Sequence, residues 1–360
     1  MWPDKRMIEM LGTELPIIQA PMAGAGGTEL AAAVATAGGL GSLPGALLTP
    51  GDLRNHIGIF RQTTSAPVNV NFFCHAVPDP DPSREALWQN RLAPYYREMG
   101  LDPDQPVPAS NRAPFNDAFC KIVEEMRPEI VSFHFGLPED DLFDQVAATG
   151  ARILSSATTV EEARWLETRG CHAIIAQGSE AGGHRGMFHT DDVATQIGTF
   201  SLVPQVVDAV RVPVIAAGGI ADGRGIAAAF MLGASAVQIG TAYLFTPEAT
   251  IAQPHRRALA AGSARETALT NVFTGRPARG VVNRVMREVG PMASDAPPFP
   301  LAGGALAPLR SASEPDGSED FMSLWSGQSA GLCHAMPAGE LTRHLAHQAV
   351  ELLGRTGPTH

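Results

Sequence analysis

Cysteine is scarce and scattered in this sequence: Cys74, Cys120, Cys171 and Cys333 form no CxxC pair. That spacing excludes a zinc ribbon and a disulfide framework, and it fits a reducing compartment. No run is rich in lysine and arginine, and the net charge of −11 repels a phosphate backbone, so nucleic acid is excluded as a partner. The opening MWPDKRMIEMLG has no apolar core of signal-peptide length, so the expected location is the cytoplasm. One segment, residues 225–245, carries no charge over about the length that spans a bilayer. Its interior Gly233 and Gly240 and the β-prone AVQIG divide it into a short helix and a strand, which predicts buried α/β core and no membrane span. Metal-ligand spacing is limited to His344 and His347 on one helix, joined by no carboxylate or cysteine cluster, so a solvated face is expected there and no metal site.

What is present is a globular composition. Hydrophobic content of 44% with 18% charged residues separates the chain from disordered and fibrous classes, and 360 residues allow two domains or one barrel with insertions. Eight apolar, β-prone runs decide between these: PIIQAPM (16–22), GLGSLPG (39–45), PVNVNFF (67–73), IVSFHFG (130–136), ARILSSAT (151–158), HAIIAQG (172–178), PVIAAGG (213–219) and AVQIGTA (236–242). Followed by Ala-rich amphipathic stretches, they predict repeated βα units and an α/β fold, a (β/α)8 TIM barrel. FSLVPQVVDAV (200–210) reads as the crossover helix before the seventh strand, and the helix at 340–353 is expected to pack back on the barrel.

Two stretches break the rhythm. Residues 75–116 are rich in Pro, Asp and Arg around a helical LWQNRLAPYYREM, and residues 254–319 end in a Pro/Gly-rich APPFPLAGGALAPL. Both follow strands and so belong at the C-terminal face, where they are expected to form a smaller, mainly helical lid domain. The expected division is 1–75, 117–253 and 320–360 for the barrel, with 76–116 and 254–319 for the helical or irregular lid.

The densest chemistry lies in AQGSEAGGHRG, residues 176–186. An apolar strand leads into Gly182 and Gly183, which lack the Cβ atoms that keep a backbone away from a ligand, and the turn then presents His184. An imidazole at a barrel mouth can take a proton at neutral pH, as a general base must; capping a helix or bonding a carbonyl is its ordinary alternative. Two later turns, AAGGIADGRGI with Gly218 and Gly219 and QIGTAYL with Gly240, follow the last two strands, where such barrels commonly bind phosphate. One such turn reads as a tight connection. Two in succession, with the glycines before His184, favour a phosphorylated ligand.

Asn69 and Asn71 alternate on the third strand and share a face, with Asn71 nearer the mouth. An amide there needs a partner, which a heteroaromatic ring with donors and acceptors supplies. Gln177 is a candidate for the same ligand, with loop or water contacts equally open. His134 is a candidate substrate contact or a core histidine bonded to backbone. Trp88, Tyr95 and Tyr96 stay open between insertion core and lid, and Trp325 between ligand contact and packing.

QAPMAG (19–24), SSATTVEEA (155–163), AQGSEAGGHRG and AAGGIADGRGI, in this order and followed by SLWSGQ, together resemble the nitronate monooxygenases, formerly called 2-nitropropane dioxygenases. The resemblance implies a barrel that holds FMN, with a smaller helical domain over the site. It also implies nitronates or nitroalkanes and O2 as partners, converted to carbonyl compounds and nitrite. By the same resemblance the catalytic histidine is His184. The flavin contacts are Asn71, Gln177, Gly182, Gly219, Gln238, Ile239, Gly240 and Thr241, with Met22 against the flavin and Gly218 joining Gly219 at the phosphate. Members of the family often carry tyrosines near the nitro group, whereas this chain has Phe299 in APPFPLAG. Relatives with the glycine-histidine motif include NAD(P)H-dependent flavin reductases for quinones or enoyl thioesters, the alternative activity. From other classes, the alternatives are a flavin-binding module without turnover and a flavin-free isomerase or lyase for sugar phosphates. A homodimer is left open.

Overall fold

The computed structural model describes residues 1–110, 112–261 and 266–355. The parts of the expected barrel and lid at 111, 262–265 and 356–360 lie outside the described residues. Eleven strands run in chain order among the described residues: β1 Ile17–Gln19, β2 Gly41–Pro44, β3 Val68–Phe73, β4 Ile130–His134, β5 Arg152–Ala157, β6 Ala173–Gln177, β7 Gly183–His184, β8 Val214–Ala217, β9 Ala236–Ile239, β10 Thr267–Thr270 and β11 Ala278–Val281. Eight of them pair in parallel in the order β1-β9-β8-β6-β5-β4-β3-β2. A further parallel bridge from Ile18 to Leu40 brings β1 beside β2 and closes the sheet into a barrel. Their apolar residues are buried on both faces, as helices covering a parallel sheet require.

All eight expected barrel strands are therefore present, each of them shorter by one to four residues where their ends leave the ladder for loops. Local chemistry starts the helices between them. Capping boxes at Thr49 with Asp52 and at Thr159 with Glu162 open Pro50–Thr63 and Val160–Thr168, and Asp222 caps Gly223–Met231. The crossover helix runs Thr199–Ala209, and the last helix, Ala338–Arg355, packs against Thr28–Thr36 and Gly223–Met231.

A second hydrophobic core lies outside the barrel. Trp88, Leu92, Tyr95 and Tyr96 of helix Pro82–Glu98 pack on Val272, Val285, Leu306 and Leu309. Trp88 Nε1 donates to the Ala302 carbonyl at 3.0 Å and the Tyr96 hydroxyl to the Ala305 carbonyl at 2.6 Å, so the two insertions are joined through helix Ala302–Ser313. These aromatics are core. The expectation that 254–319 is helical or irregular needs one correction: β10 and β11 form an antiparallel hairpin there, and β11 pairs with β7, Ala278 opposite His184. TALT and ARGV are too short and too mixed in character to announce strands. His184 thus sits on the edge strand of a small sheet that ties the barrel mouth to the second core.

Candidate active site

The loop that carries His184 is held by buried polar groups. After β6, Gln177 turns its amide along the chain: Nε2 donates to the His184 carbonyl at 3.0 Å, and Oε1 accepts from the Gly186 N–H at 2.7 Å. Arg185, fully buried, donates to the carbonyls of Gly178 at 2.7 Å and Gln177 at 2.6 Å and to Gln196 Oε1 at 2.9 Å. Burial lowers its pKa to about 10, which leaves it charged at neutral pH. Glu162, also fully buried, receives the N–H groups of Thr158 at 2.6 Å and Phe188 at 2.7 Å, bracing the far side of the loop. Neither Arg185 nor Glu162 is singled out by sequence reasoning, although Glu162 stands at capping-box spacing from Thr159.

The two glycines before His184 serve different needs. A Cβ on Gly182 would meet the Gly327 nitrogen at 2.5 Å and the Ser326 carbonyl carbon at 2.6 Å. That glycine admits the returning SLWSGQ chain as well as bordering the cavity. Gly183 has φ +72° with open space where its Cβ would stand.

His184 Nε2 lies 2.9 Å from Thr274 Oγ1. The Arg276 carbonyl lies 3.4 Å from the Thr274 hydroxyl; assigning the hydroxyl proton to it makes Thr274 the acceptor of Nε2–H and leaves the lone pair on Nδ1. The rings of Phe299, Trp325, Phe135 and Phe73 surround the imidazole at centroid distances of 5.3, 5.5, 5.9 and 6.0 Å. Burial first, then the charges of Arg112 and of neighbouring groups, holds its pKa well below 6.5, so it is neutral at neutral pH. His134 lines the same cavity, but its nitrogens are engaged, Nδ1 with Ser156 Oγ and Nε2 with the His184 carbonyl at 3.3 Å. Burial pushes it down to about 3. Its geometry is that of a support under His184.

A cavity of about 300 Å3 opens at the C-terminal ends of the strands, within the range of small-molecule sites. Eleven of the twelve site residues expected from the sequence line it: Met22, Asn71, His134, Gln177, Gly182, His184, Gly218, Gly219, Gln238, Gly240 and Thr241. Ile239 does not. On β9 the side chains alternate, so Gln238 faces the cavity and Ile239 packs into the barrel's outer core. Asn69 also stays away from the cavity, one layer deeper, where its amide donates to Ser42 Oγ at 2.9 Å.

The lining suits an anionic nucleotide with a polar ring. Gln238 Oε1 is buried without a hydrogen-bond partner, which leaves an acceptor for a ligand N–H or O–H. Asn71 donates through Nδ2 to Ser132 Oγ at 2.9 Å, and its Oδ1 has no protein partner among the described residues. Gly218 and Gly219 take φ of +108° and +71°, a conformation that turns successive backbone groups without a side chain in the way. In this acidic chain no Asp or Glu among the described residues lines the cavity, whereas Arg112, Arg310, His134, His184 and His255 do. Among the described residues there is no cluster of metal-binding side chains, and no helix is long and apolar enough to cross a membrane.

A parallel barrel with such a mouth belongs with the flavin-dependent barrel oxidoreductases, and comparison with known proteins narrows the class. The family model for nitronate monooxygenase matches residues 4–348, and the chain belongs to that family. Nitronate monooxygenase of Pseudomonas aeruginosa is 42% identical over 95% of this chain and 98% of its own length. That of Paraburkholderia phytofirmans is 40% identical over 96% and 94%. Among solved structures, nitroalkane oxidase from Streptomyces ansochromogenes superposes with a TM-score of 0.88 at 38% identity, covering 97% of this chain and 99% of the other. FabK from Thermotoga maritima reaches 0.72 at 29% identity, covering 97% of each chain.

Proposed function

We propose that the cavity holds FMN and that the chain oxidises alkyl nitronates, and nitroalkanes once deprotonated, with O2 to carbonyl compounds and nitrite. The observation that carries this reading is a buried imidazole, His184, facing a cavity with no carboxylate among the described residues that line it, in a chain of the nitronate monooxygenase family. Gly218, Gly219, Gly240 and Thr241 would hold the phosphate end, and Gln238 Oε1, Asn71 and Met22 the ring and its side chain. Gln177 acts indirectly, by fixing the His184 turn. Bound flavin supplies the electron transfer that lets O2 react with the substrate.

The protein's own part is proton transfer, position and exclusion of water. His184 Nδ1 takes the α-proton of a neutral nitroalkane, while Thr274 keeps the other proton on Nε2. Because its pKa lies well below 6.5, His184 remains in the base form throughout the neutral range. The same neutrality means that the histidine contributes no positive charge toward a nitronate anion. The rings of Phe73, Phe135, Phe299 and Trp325 give the alkyl group an apolar seat and keep water from the acidic carbon. Residues 76–116 and 254–319 act as the substrate-side lid over a barrel of 1–75, 117–253 and 320–360, and the protein works in the cytoplasm.

The test is spectroscopic. Purified protein should be yellow, release FMN on denaturation, lose its flavin absorbance on anaerobic mixing with propyl-1-nitronate, and form nitrite in air. Faster bleaching by NADH than by nitronate supports an NAD(P)H-dependent reductase instead. A colourless protein that takes up no FMN refutes the flavin reading.

A further inference from the structure

Besides Arg185, three arginines stand at the cavity or beside His184, and they differ in how their charge is met. Arg310 Nε lies 3.0 Å from Glu314 Oε2, in an ion pair. Arg276 stacks its guanidinium 4.2 Å from the centre of the Phe135 ring and donates to the Met187 carbonyl. Arg112 lines the cavity beside Phe73, Asn71 and His184, and its guanidinium has neither a carboxylate nor a hydrogen-bond acceptor among the described residues. Burial, then the neighbouring Arg310, makes its charge harder to carry. A guanidinium nonetheless stays protonated in proteins. An unpaired, largely buried cation of this kind is completed by an anion that enters from outside.

We propose that Arg112 is the residue that captures the substrate's anionic group, its guanidinium fork receiving the two oxygens of a planar nitronate. The inference rests on the proposed nitronate chemistry and deepens it. The two oxygens of a nitronate share one planar nitrogen, the same fork that a carboxylate presents to arginine, so two parallel N–H···O bonds match it. Held this way, the substrate's nitro end lies against Arg112 and its carbon end among the aromatic rings around His184. When the substrate arrives as a neutral nitroalkane, the charge that forms as His184 removes the proton forms beside the same guanidinium. His184 and Arg112 thus divide between them the base and the cation that a single protonated histidine cannot supply together.

The test uses the flavin-loaded enzyme and two variants, Arg112→Gln and Arg112→Lys, each checked for wild-type flavin content. Binding of nitrate, a planar oxyanion that does not react, is followed by calorimetry, and steady-state kinetics compare propyl-1-nitronate with neutral 1-nitropropane. The expected result for Arg112→Gln is nitrate affinity weaker by about 10- to 100-fold, the worth of a charge-assisted bond, with KM for the nitronate raised to the same degree. KM for 1-nitropropane should move less than about threefold on the same arithmetic, since a neutral nitro group gains little from the cation. Arg112→Lys should fall between, a point charge replacing a fork. Unchanged nitrate affinity and nitronate KM in Arg112→Gln overturn the proposal. So does an equal rise in KM for both substrates, the mark of a merely structural role. A wild-type protein that oxidises no nitronate yet binds nitrate through Arg112 keeps the anion site and overturns the assigned activity.

Discussion

One wall of the cavity is backbone and the opposite wall is side chain. Gly218, Gly219 and Gly240 sit in turns after β8 and β9, each contiguous with its strand in sequence. The other wall is built by Arg112, His184 and Trp325, with Phe135 and Phe299 packed against His184 behind it; these come from five segments spread over some two hundred residues, and two of them belong to the insertions. The first wall needs residues that lack a side chain, and the second needs particular side chains brought together by tertiary packing. A substitution should therefore separate cofactor retention from chemistry according to the wall it strikes.

The largest effect is expected on the backbone wall. At Gly219, with φ +71°, the nearest atom to an added Cβ is Glu180 Cβ at 3.5 Å, so Gly219→Val meets backbone strain rather than a clash. The left-handed conformation costs an L-residue about 1–2 kcal/mol, and relieving that strain displaces the turn whose backbone would hold the phosphate. The expectation is a folded protein that purifies without flavin. Full yellow colour would remove Gly219 from the phosphate end.

A smaller effect is expected behind the side-chain wall, at the partner of His184. Thr274→Val removes the acceptor of His184 Nε2–H and should lower turnover of 1-nitropropane by about 3- to 10-fold, the worth of one hydrogen bond, at unchanged flavin content. No change would show that the tautomer is set elsewhere.

The side-chain wall should also be the more acid-sensitive one. His134, His184 and His255 are held below 6.5 chiefly by burial, to about 3 for His134 and about 4 for His255. Below pH 6.5 the unfolded chain binds protons at these positions while the folded chain does not, so folding stability is full above that pH and falls as pH drops toward 4. Each histidine contributes a slope of up to about 1.4 kcal/mol per pH unit. Urea titrations at pH 7, 6 and 5 should show that decline, steeper than in a variant with His255→Gln; parallel curves would contradict it.

The contrast between the walls also explains what the sequence reveals. Barrel strands are legible because apolar, β-prone runs alternate with Ala-rich amphipathic stretches, and the cofactor turns are legible because their glycines follow the last two strands. Ile239 stands in one contiguous run with Gln238 and Gly240, but strand alternation turns its side chain into the core. Gly182 and Gln177 border the cavity as their position suggests, and each also serves the fold: Gly182 makes room for the chain at Ser326 and Gln177 bonds the His184 turn through both ends of its amide. The β10–β11 hairpin, Thr274 and Arg112 were out of reach, since short mixed runs and loop arginines carry no periodic signal and acquire meaning only when folding sets them beside His184.

The division between base and cofactor site is tested most directly by His184→Asn, assayed with a neutral nitroalkane and with its preformed nitronate. Flavin content should match wild type. Turnover of 1-nitropropane should fall by roughly two to four orders of magnitude, the worth of a positioned base, while turnover of propyl-1-nitronate stays within about tenfold. Equal losses on both forms, or no loss on the neutral one, would contradict the assignment of proton abstraction to His184.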